Sequence, residues 1–250
     1  MTDQATPRIS IITATYNAAS VLPRLVESLM AQTDQDFEWV GADGGSTDGT
    51  LEILERAKTQ LKNVLIDSRP DFGIYDALNR AVKLSTSEYY LVLGADDELF
   101  PSGAATFKSE LAKSGADFIS CKYHAGKKII AIRSPRWEFL FSIAAHVTGH
   151  AVGLLIRKSL HDKVGCYSRK FPIAADQLFI LSAIKKGALV HESNAIVGRF
   201  STEGVSNADP VGALSEIFRV NIKLGHNYYL QLALLILRLL KNKKTNRRYE

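Results

Sequence analysis

Carboxylates and hydroxyls recur in this 250-residue chain wherever a short apolar run stops. RISIIT (8–13) is followed by Thr15-Tyr16-Asn17, and FEWVGA (37–42) by Asp43-Gly44-Gly45-Ser46-Thr47-Asp48. VLID (64–67) leads to Asp71-Phe72-Gly73-Ile74-Tyr75-Asp76, and YYLVL (89–93) to Gly94-Ala95-Asp96-Asp97. Asp96 and Asp97 are adjacent hard-oxygen donors of the kind that hold Mg²⁺ or Mn²⁺ against substrate phosphates. Asp43 can accept a hydrogen bond from a base or ribose, and Gly44 and Gly45 permit close backbone approach. Singly, each segment is an ordinary turn, and Asp96-Asp97 a loop before a helix near Pro101, because Asp and Gly are common turn formers. Together they describe a mouth for a polar ligand and a hard metal ion.

The elements that must carry these loops alternate in type. The four apolar runs read as buried strands. Between them lie helical patterns at 21–32, with Ser20 as a candidate cap and Pro23 in the first turn, and at about 48–60, with Thr47 or Asp48 as candidate caps. A third covers 73–84. This rhythm predicts a mostly parallel, three-layer α/β/α sheet with right-handed crossovers, and ligands then bind outside the carboxyl ends of its strands. The second half is less regular. Strands are expected at 117–121, 128–133, 150–156 and 195–200, a short helix at 159–164, and a helix over 173–186 ending at Gly187.

The net charge of +5 is local: six cations and one acid in residues 238–250 account for all of it, leaving 1–237 neutral. That is not a nucleic-acid footprint, which would spread over a domain face. The cations follow the apolar stretch Tyr228–Leu240, whose roughly 13 residues fall short of the ~20 a spanning helix needs. With Tyr228 and Tyr229 at one end and lysines at the other, the stretch reads as an interfacial helix beside anionic lipid; a core or dimer helix with a solvated tail is the alternative. Met1–Arg8 lacks a signal-peptide core and Cys121 and Cys166 make no disulfide framework, so a cytoplasmic chain is expected. A Walker A loop, a G-x-G-x-x-G after the first strand, zinc-ligand spacing and a nucleophile elbow are all missing, which counts against kinases, dehydrogenases and hydrolases.

ISIITATYNAASVLPRLVESLMAQTDQDFEWVGADGGSTDGT closely resembles the opening of family 2 glycosyltransferases, whose fold is called GT-A. SRPDFGIYDALNRAV, YYLVLGADDELFP, HAVGLLIRKSLHDKVGCYSRKFPIAADQLFILSAIKKG and FSTEGVSN follow in the family's order, so the resemblance spans roughly residues 8–207. The GIYDAxN block is similar to bacterial colanic-acid and exopolysaccharide sugar transferases. The resemblance implies transfer of a sugar from a nucleotide diphosphate sugar. It implies that Thr15, Tyr16, Asn17, Asp43 and Asp71 contact the nucleotide and that Asp96 is the last acid of the D-x-D metal motif. The first acid of that motif falls on Gly94, a departure. Asp97 is a candidate helper. Asp176 matches the base of inverting members, with Gln177 a mild departure, and His150 matches a recurrent position that is either an acceptor-side residue or a structural histidine.

The expectation is an inverting, metal-dependent transferase acting on a saccharide acceptor, one carried by a lipid, in bacterial surface polysaccharide synthesis. It would work at the inner face of the cell membrane, as a monomer or homodimer, without nucleic acid. Residues 1–210 would form the GT-A domain, its nucleotide half about 1–100 and its acceptor half about 101–210, and 211–250 a helical basic extension. Two alternatives stand beside it. One is an inactive nucleotide-sugar-binding or scaffold protein, which Gly94 favours. The other is a nucleotidyltransferase, which the missing basic Gly-rich loop disfavours.

Overall fold

The computed structural model describes residues 9–201 and 209–246. The first half is β1 (Ile9–Thr15), α1 (Leu22–Met30), β2 (Phe37–Asp43), α2 (Thr50–Ala57), β3 (Val64–Ser68), α3 (Ile74–Leu84) and β4 (Tyr89–Val92). The second half is β5 (Glu98–Leu99), α4 (Gly103–Ser114), β6 (Phe118–Ala125), β7 (Lys128–Ile130), α5 (Glu138–Phe141), β8 (Leu154–Arg157), α6 (Leu160–Val164), α7 (Ala175–Lys185), β9 (Val190–Phe200), α8 (Pro210–Lys223) and α9 (Tyr228–Asn246). Short 3₁₀ turns at Pro135–Trp137 and Ser142–Ala145 flank α5.

Among the described residues the strands form one sheet in the order β3-β2-β1-β4-β8-β6-β9-β5, with β7 hairpinned onto β6. β3, β2, β1 and β4 are all parallel, and so is β6 with β9. β8 runs antiparallel to both β4 and β6. The sheet is covered on both faces, so its central strands are mostly apolar, and buried Glu38 of β2 is satisfied by Ser10, Thr86 and Ser87. Ile9, Ile11 and Trp39 pack on one side with Leu22, Leu25 and Leu29 of α1, Leu54 of α2 and Phe107 of α4. Ile12, Val40 and Tyr90 pack on the other with Leu78 of α3, Leu160 of α6, Phe179 of α7 and Val220 of α8. This is the expected three-layer α/β/α architecture.

Several boundaries differ from expectation for local reasons. Neither α1 nor α2 has a side-chain cap: Val21 and Gly49 (φ +93°) occupy the cap positions. Ser20 and Thr47 therefore do not take the cap positions, while Asp48, one residue before the cap of α2, accepts the Thr50 N–H at 3.1 Å and the Thr50 hydroxyl at 2.6 Å through Oδ1. The strand expected at 150–156 begins at Leu154, because Val152 sits at φ +62° in a three-residue turn closed by Gly153 N–H to the Ala151 carbonyl, 2.7 Å. A left-handed conformation is rare and strained for a β-branched residue. β9 runs from Val190, earlier than 195, since its first residues pair with Phe118–Ser120 of β6. α8 is capped by Asp209, whose carboxylate accepts the Gly212 N–H at 2.7 Å. Cys121 and Cys166 are both free.

No helix among the described residues is long and apolar enough to cross a membrane. Most of the FSTEGVSN block, and Arg247, Arg248 and Glu250 of the basic tail, lie outside the described residues. α9 is inverted relative to an ordinary surface helix. Its buried side carries Gln231, bonded to the Phe139 carbonyl and to Asn221, and Arg238, which donates to the Leu140 carbonyl. Its exposed side carries Tyr229, Ile236, Leu237 and Leu240.

Candidate active site

The loops after β1 and β2 are stitched into one surface. In-register pairing sets Thr15 opposite Asp43, and Thr15 Oγ1 donates to Asp43 Oδ1 at 3.0 Å. The N–H groups of Asn17, Ala18 and Ala19 donate to Ser46 Oγ, Thr50 Oγ1 and Asp48 Oδ2. Asn17, at φ +47°, returns a bond by accepting the Thr47 N–H at 2.9 Å. Asp48, expected as a helix cap, thus serves both ends: Oδ1 holds the start of α2 and Oδ2 holds the loop after β1.

Asp43 is fully buried, and its two oxygens accept from Thr15, the Gly45 N–H, the Ser46 N–H and hydroxyl, and Ser68. Burial pushes its pKa up, but the bonds from Ser46, Ser68 and Thr15 outweigh this and hold the carboxyl below its ordinary value. Asp43 therefore shapes the loop from within, with every oxygen engaged. The open surface above it is built by Tyr16 and Asp71. The Tyr16 ring is 68% exposed. A Cβ on Gly44 would stand 2.8 Å from Asp71 Oδ2 and 3.3 Å from Tyr16 Cδ2, so only glycine lets the two approach. Asp71 Oδ1 accepts the Gly73 N–H at 2.8 Å, and Oδ2 lies 3.4 Å from Arg80 Nη2. Arg80 also bonds Asp67 and the Asp43 carbonyl, tying β2, β3 and α3 to one guanidinium. The exposed ring beside a carboxylate offers a stacking face and an acceptor, the chemistry that suits a nucleobase.

After β4 the two adjacent acids part company. Asp97 is 1% exposed, and its oxygens accept the Gly94 and Ser201 N–H groups at 2.7 and 3.0 Å. Burial pushes its pKa up to about 6. Asp97 fastens the loop. Asp96 is half-buried, its carboxylate beside Gly94, where a Cβ would come within 3.0 Å of Asp96 Oδ1 and 2.9 Å of Asp97 Oδ2. Glycine at 94 is thus what allows Asp97 to fold back over the turn.

Asp176 stands in the first turn of α7, where the helix dipole favours a carboxylate. Tyr75 Oη lies 2.7 Å from Asp176 Oδ1 and 2.9 Å from the Ile173 carbonyl. Burial and the Asp176 charge raise the Tyr75 pKa well above its ordinary value, so it stays a donor. Glu216 of α8 accepts the N–H groups of Ile173 and Ala174 at 2.9 and 2.8 Å, fixing the approach to α7. His150 Nδ1 lies 3.9 Å from Asp176 Oδ2. Burial lowers the His150 pKa, with Asp176 pulling the other way. Ala151 bridges Val92, and Val152 N–H donates to the Val92 carbonyl, so His150 enters the site beside the strand that delivers Gly94 and Asp96. The antiparallel course of β8 thus brings the Asp176–His150 pair to the strand edge that carries the acidic loop.

The family model for glycosyl transferase family 2 matches residues 10–185. The chain belongs to glycosyl transferase family 2. It is 34% identical over 194 residues to a PGL/p-HBAD biosynthesis glycosyltransferase of Mycobacterium bovis, covering 74% of this chain and 73% of the relative. It is 32% identical over 123 residues to the chondroitin synthase of Pasteurella multocida, which covers 49% of this chain and 12% of that much longer protein. Among solved structures it superposes on S. aureus TarS 1–349 in complex with UDP-GlcNAc, with TM-score 0.70 and 18% identity over 93% of this chain and 71% of TarS 1–349. The mannosyltransferase PcManGT from Pyrobaculum calidifontis, with GDP-Man and Mn²⁺, gives TM-score 0.68 and 18% identity over 96% of this chain and 76% of the other. Those two likenesses establish the GT-A fold.

The structure thus gathers Thr15, Tyr16, Asn17, Asp43 and Asp71 into one cluster and sets Asp176 beside His150 in another. Tyr75, Arg80 and Glu216 were not singled out from sequence. Tyr75 and Arg80 sit inside the SRPDFGIYDALNRAV block, whose helical spacing hides which side chains turn to the site. Glu216 carries no local signal, because its partners lie 43 and 42 residues away.

Proposed function

We propose that this family 2 enzyme is an inverting, metal-assisted transferase that moves a sugar from a nucleotide diphosphate sugar to a saccharide acceptor. The observation that carries the reading is the state of Asp176: Oδ1 faces the Tyr75 hydroxyl and Oδ2 is left for an incoming acceptor. Asp176 takes the proton of an acceptor hydroxyl as that oxygen attacks the anomeric carbon, and the bond to the diphosphate breaks on the opposite face. The carbon gains oxocarbenium character, and one base suffices without a covalent intermediate. Tyr16 and Asp71 receive the base, with Thr15, Asn17 and Asp43 holding the loop beneath.

Among the described residues no three His, Cys, Asp or Glu side chains converge as a metal cage. With Asp97 committed to backbone N–H groups, Asp96 is the carboxylate left to hold Mg²⁺ or Mn²⁺. Such a site fits an ion that keeps water and takes its other ligands from substrate phosphates. The bound ion would neutralise charge developing on the leaving diphosphate.

In this reading residues 1–210 carry the transfer chemistry, the nucleotide half about 1–100 and the acceptor half about 101–210. Residues 211–250 form an extension in which α8 buttresses Asp176 through Glu216 and α9 meets an anionic membrane from the cytoplasmic side. The outward apolar face of α9 supports that placement, which suits a lipid-linked acceptor in surface polysaccharide synthesis. Calorimetry of UDP-GlcNAc, UDP-glucose and GDP-mannose, with and without Mn²⁺, tests the donor class. Metal-dependent binding of one of them that is lost in Asp96→Ala supports the reading; metal-independent binding unchanged in Asp96→Ala contradicts the assignment of Asp96.

A further inference from the structure

A hydrogen-bonded chain of polar side chains starts at His150, 3.9 Å from Asp176, and runs through the interior. His150 Nε2 lies 2.8 Å from Tyr167 Oη, Tyr167 Oη 2.6 Å from Tyr90 Oη, and Tyr90 Oη 2.8 Å from His161 Nε2. His161 Nδ1 ends the chain 3.2 Å from the Gly165 carbonyl. Tyr90 and Tyr167 are almost wholly buried. His161 lines an open cleft of about 660 Å³ between α3 and α6, together with Asn79, Lys83, Lys158 and Asp162; Asp176 and His150 do not line it.

One carbonyl sets the direction of every proton in the chain. The Gly165 oxygen can only accept, so neutral His161 carries its proton on Nδ1 and accepts at Nε2. Tyr90 then donates to His161, Tyr167 donates to Tyr90, and His150 donates through Nε2. Neutral His150 is left with its lone pair on Nδ1, the atom facing Asp176 Oδ2 at 3.9 Å. Two acceptors face each other there, an arrangement that favours the arrival of one proton between them.

We propose that this chain is a proton relay that clears the base while substrates fill the mouth; it rests on the assignment of Asp176 above. The acceptor O–H bond breaks, its oxygen bonds the anomeric carbon, and the proton lands on Asp176 Oδ2. Asp176 and His150 close their 3.9 Å gap around it by small rotations, and it passes to His150 Nδ1 as the Nε2 proton moves to Tyr167, that of Tyr167 to Tyr90, and that of Tyr90 to His161. The His161 Nδ1 proton leaves to water in the cleft. One proton enters and one leaves, and no electrons are transferred. After product release the shift reverses: a proton returns at His161 and the one on His150 leaves through the emptied mouth. His150, Tyr167, Tyr90 and His161 act through Asp176 and do not touch the substrate.

The test uses the full chain with Mn²⁺ and either UDP-GlcNAc or GDP-mannose, water serving as acceptor, in H₂O/D₂O mixtures. The relay predicts a curved dependence of kcat on deuterium fraction. It predicts that Tyr90→Phe and His161→Phe each make this dependence linear and lower kcat, by less than the about 10²–10⁴-fold expected for removing the base itself, at unchanged KM. A merely structural role would lower the melting temperature and leave the isotope dependence alone, and that result overturns the relay. Should either variant fail to fold, ¹⁵N imidazole spectra of the unmutated protein decide: Nε2–H for His150 and Nδ1–H for His161 support the relay, and the opposite tautomers overturn it. Asp176→Asn separates the two claims. Normal turnover there sinks the base assignment, whereas lost turnover there with unaltered Tyr90→Phe kinetics sinks only the relay.

Discussion

The hydroxyl of Tyr75 stands 2.7 Å from Oδ1 of Asp176, joining α3 to α7 across 101 residues of chain. Through this contact the first half of the chain sets the orientation of a carboxylate in the second half. Bonds to charged groups contribute about 1.5–3 kcal/mol. Tyr75→Phe should therefore lower kcat tenfold or more, by about that energy, while leaving donor affinity unchanged. Steady-state kinetics alongside donor calorimetry checks this; unchanged kcat would show that Asp176 is oriented without Tyr75.

Asp43 presents a different expectation. Its oxygens are saturated by backbone and hydroxyl donors, so an amide there must turn N–H groups against N–H groups. Asp43→Asn should cost on the order of 3 kcal/mol of stability, seen as a lower melting temperature, before any effect on ligand is considered. A variant as stable as the parent would mean that Asp43 is free to face a ligand.

The first half of the fold is largely legible in the sequence, and the reason is physical. Parallel strands buried on both faces need unbroken apolar runs, and their carboxyl ends must break into Gly, Asp, Ser and Thr, so RISIIT, FEWVGA and YYLVL announced both the strands and the loops. What the spacing left hidden was who bonds to whom. Asp48 looks like a helix-start residue, and its Oδ1 does hold the Thr50 N–H, but nothing local shows that its Oδ2 also serves the loop after β1. Asp96 and Asp97 look equivalent, and only the fold-back over Gly94 separates them. In the second half, β8 starts four residues later than its apolar run suggests because Val152 adopts a left-handed turn that no β-branched residue advertises. The buried line from His150 to His161 joins residues up to 77 positions apart, so it leaves no periodic trace.

His161 also makes a pH signature. Burial lowers its pKa from 6.5 to about 4. The unfolded chain therefore binds this proton at a higher pH than the folded one, and stability falls as pH drops from about 6.5 toward 4. His161→Phe keeps a ring against Phe179, stacked at 4.4 Å in the parent. It should flatten this acid limb by on the order of 3 kcal/mol across the window. Chemical denaturation at several pH values measures it; parallel curves for parent and variant would place His161 in solvent.

The outward face of α9 should bind lipid. Full-length protein should sediment with vesicles containing anionic lipid and be partly released by high salt, since exposed charge is screened. Replacing Ile236, Leu237 and Leu240 by serine should abolish sedimentation without unfolding the body, because those side chains are exposed. Parent protein left in the supernatant would point instead to a second copy of the chain on this face.

Asp176→Asn is the substitution on which the account turns, because it keeps the side chain's size and removes only its basic oxygen. Nucleoside diphosphate release from the donor that binds best should be followed in parent and variant, with binding measured in parallel. The account predicts equal donor affinity and turnover slower by about 10²–10⁴-fold in the variant. Turnover near that of the parent would contradict it.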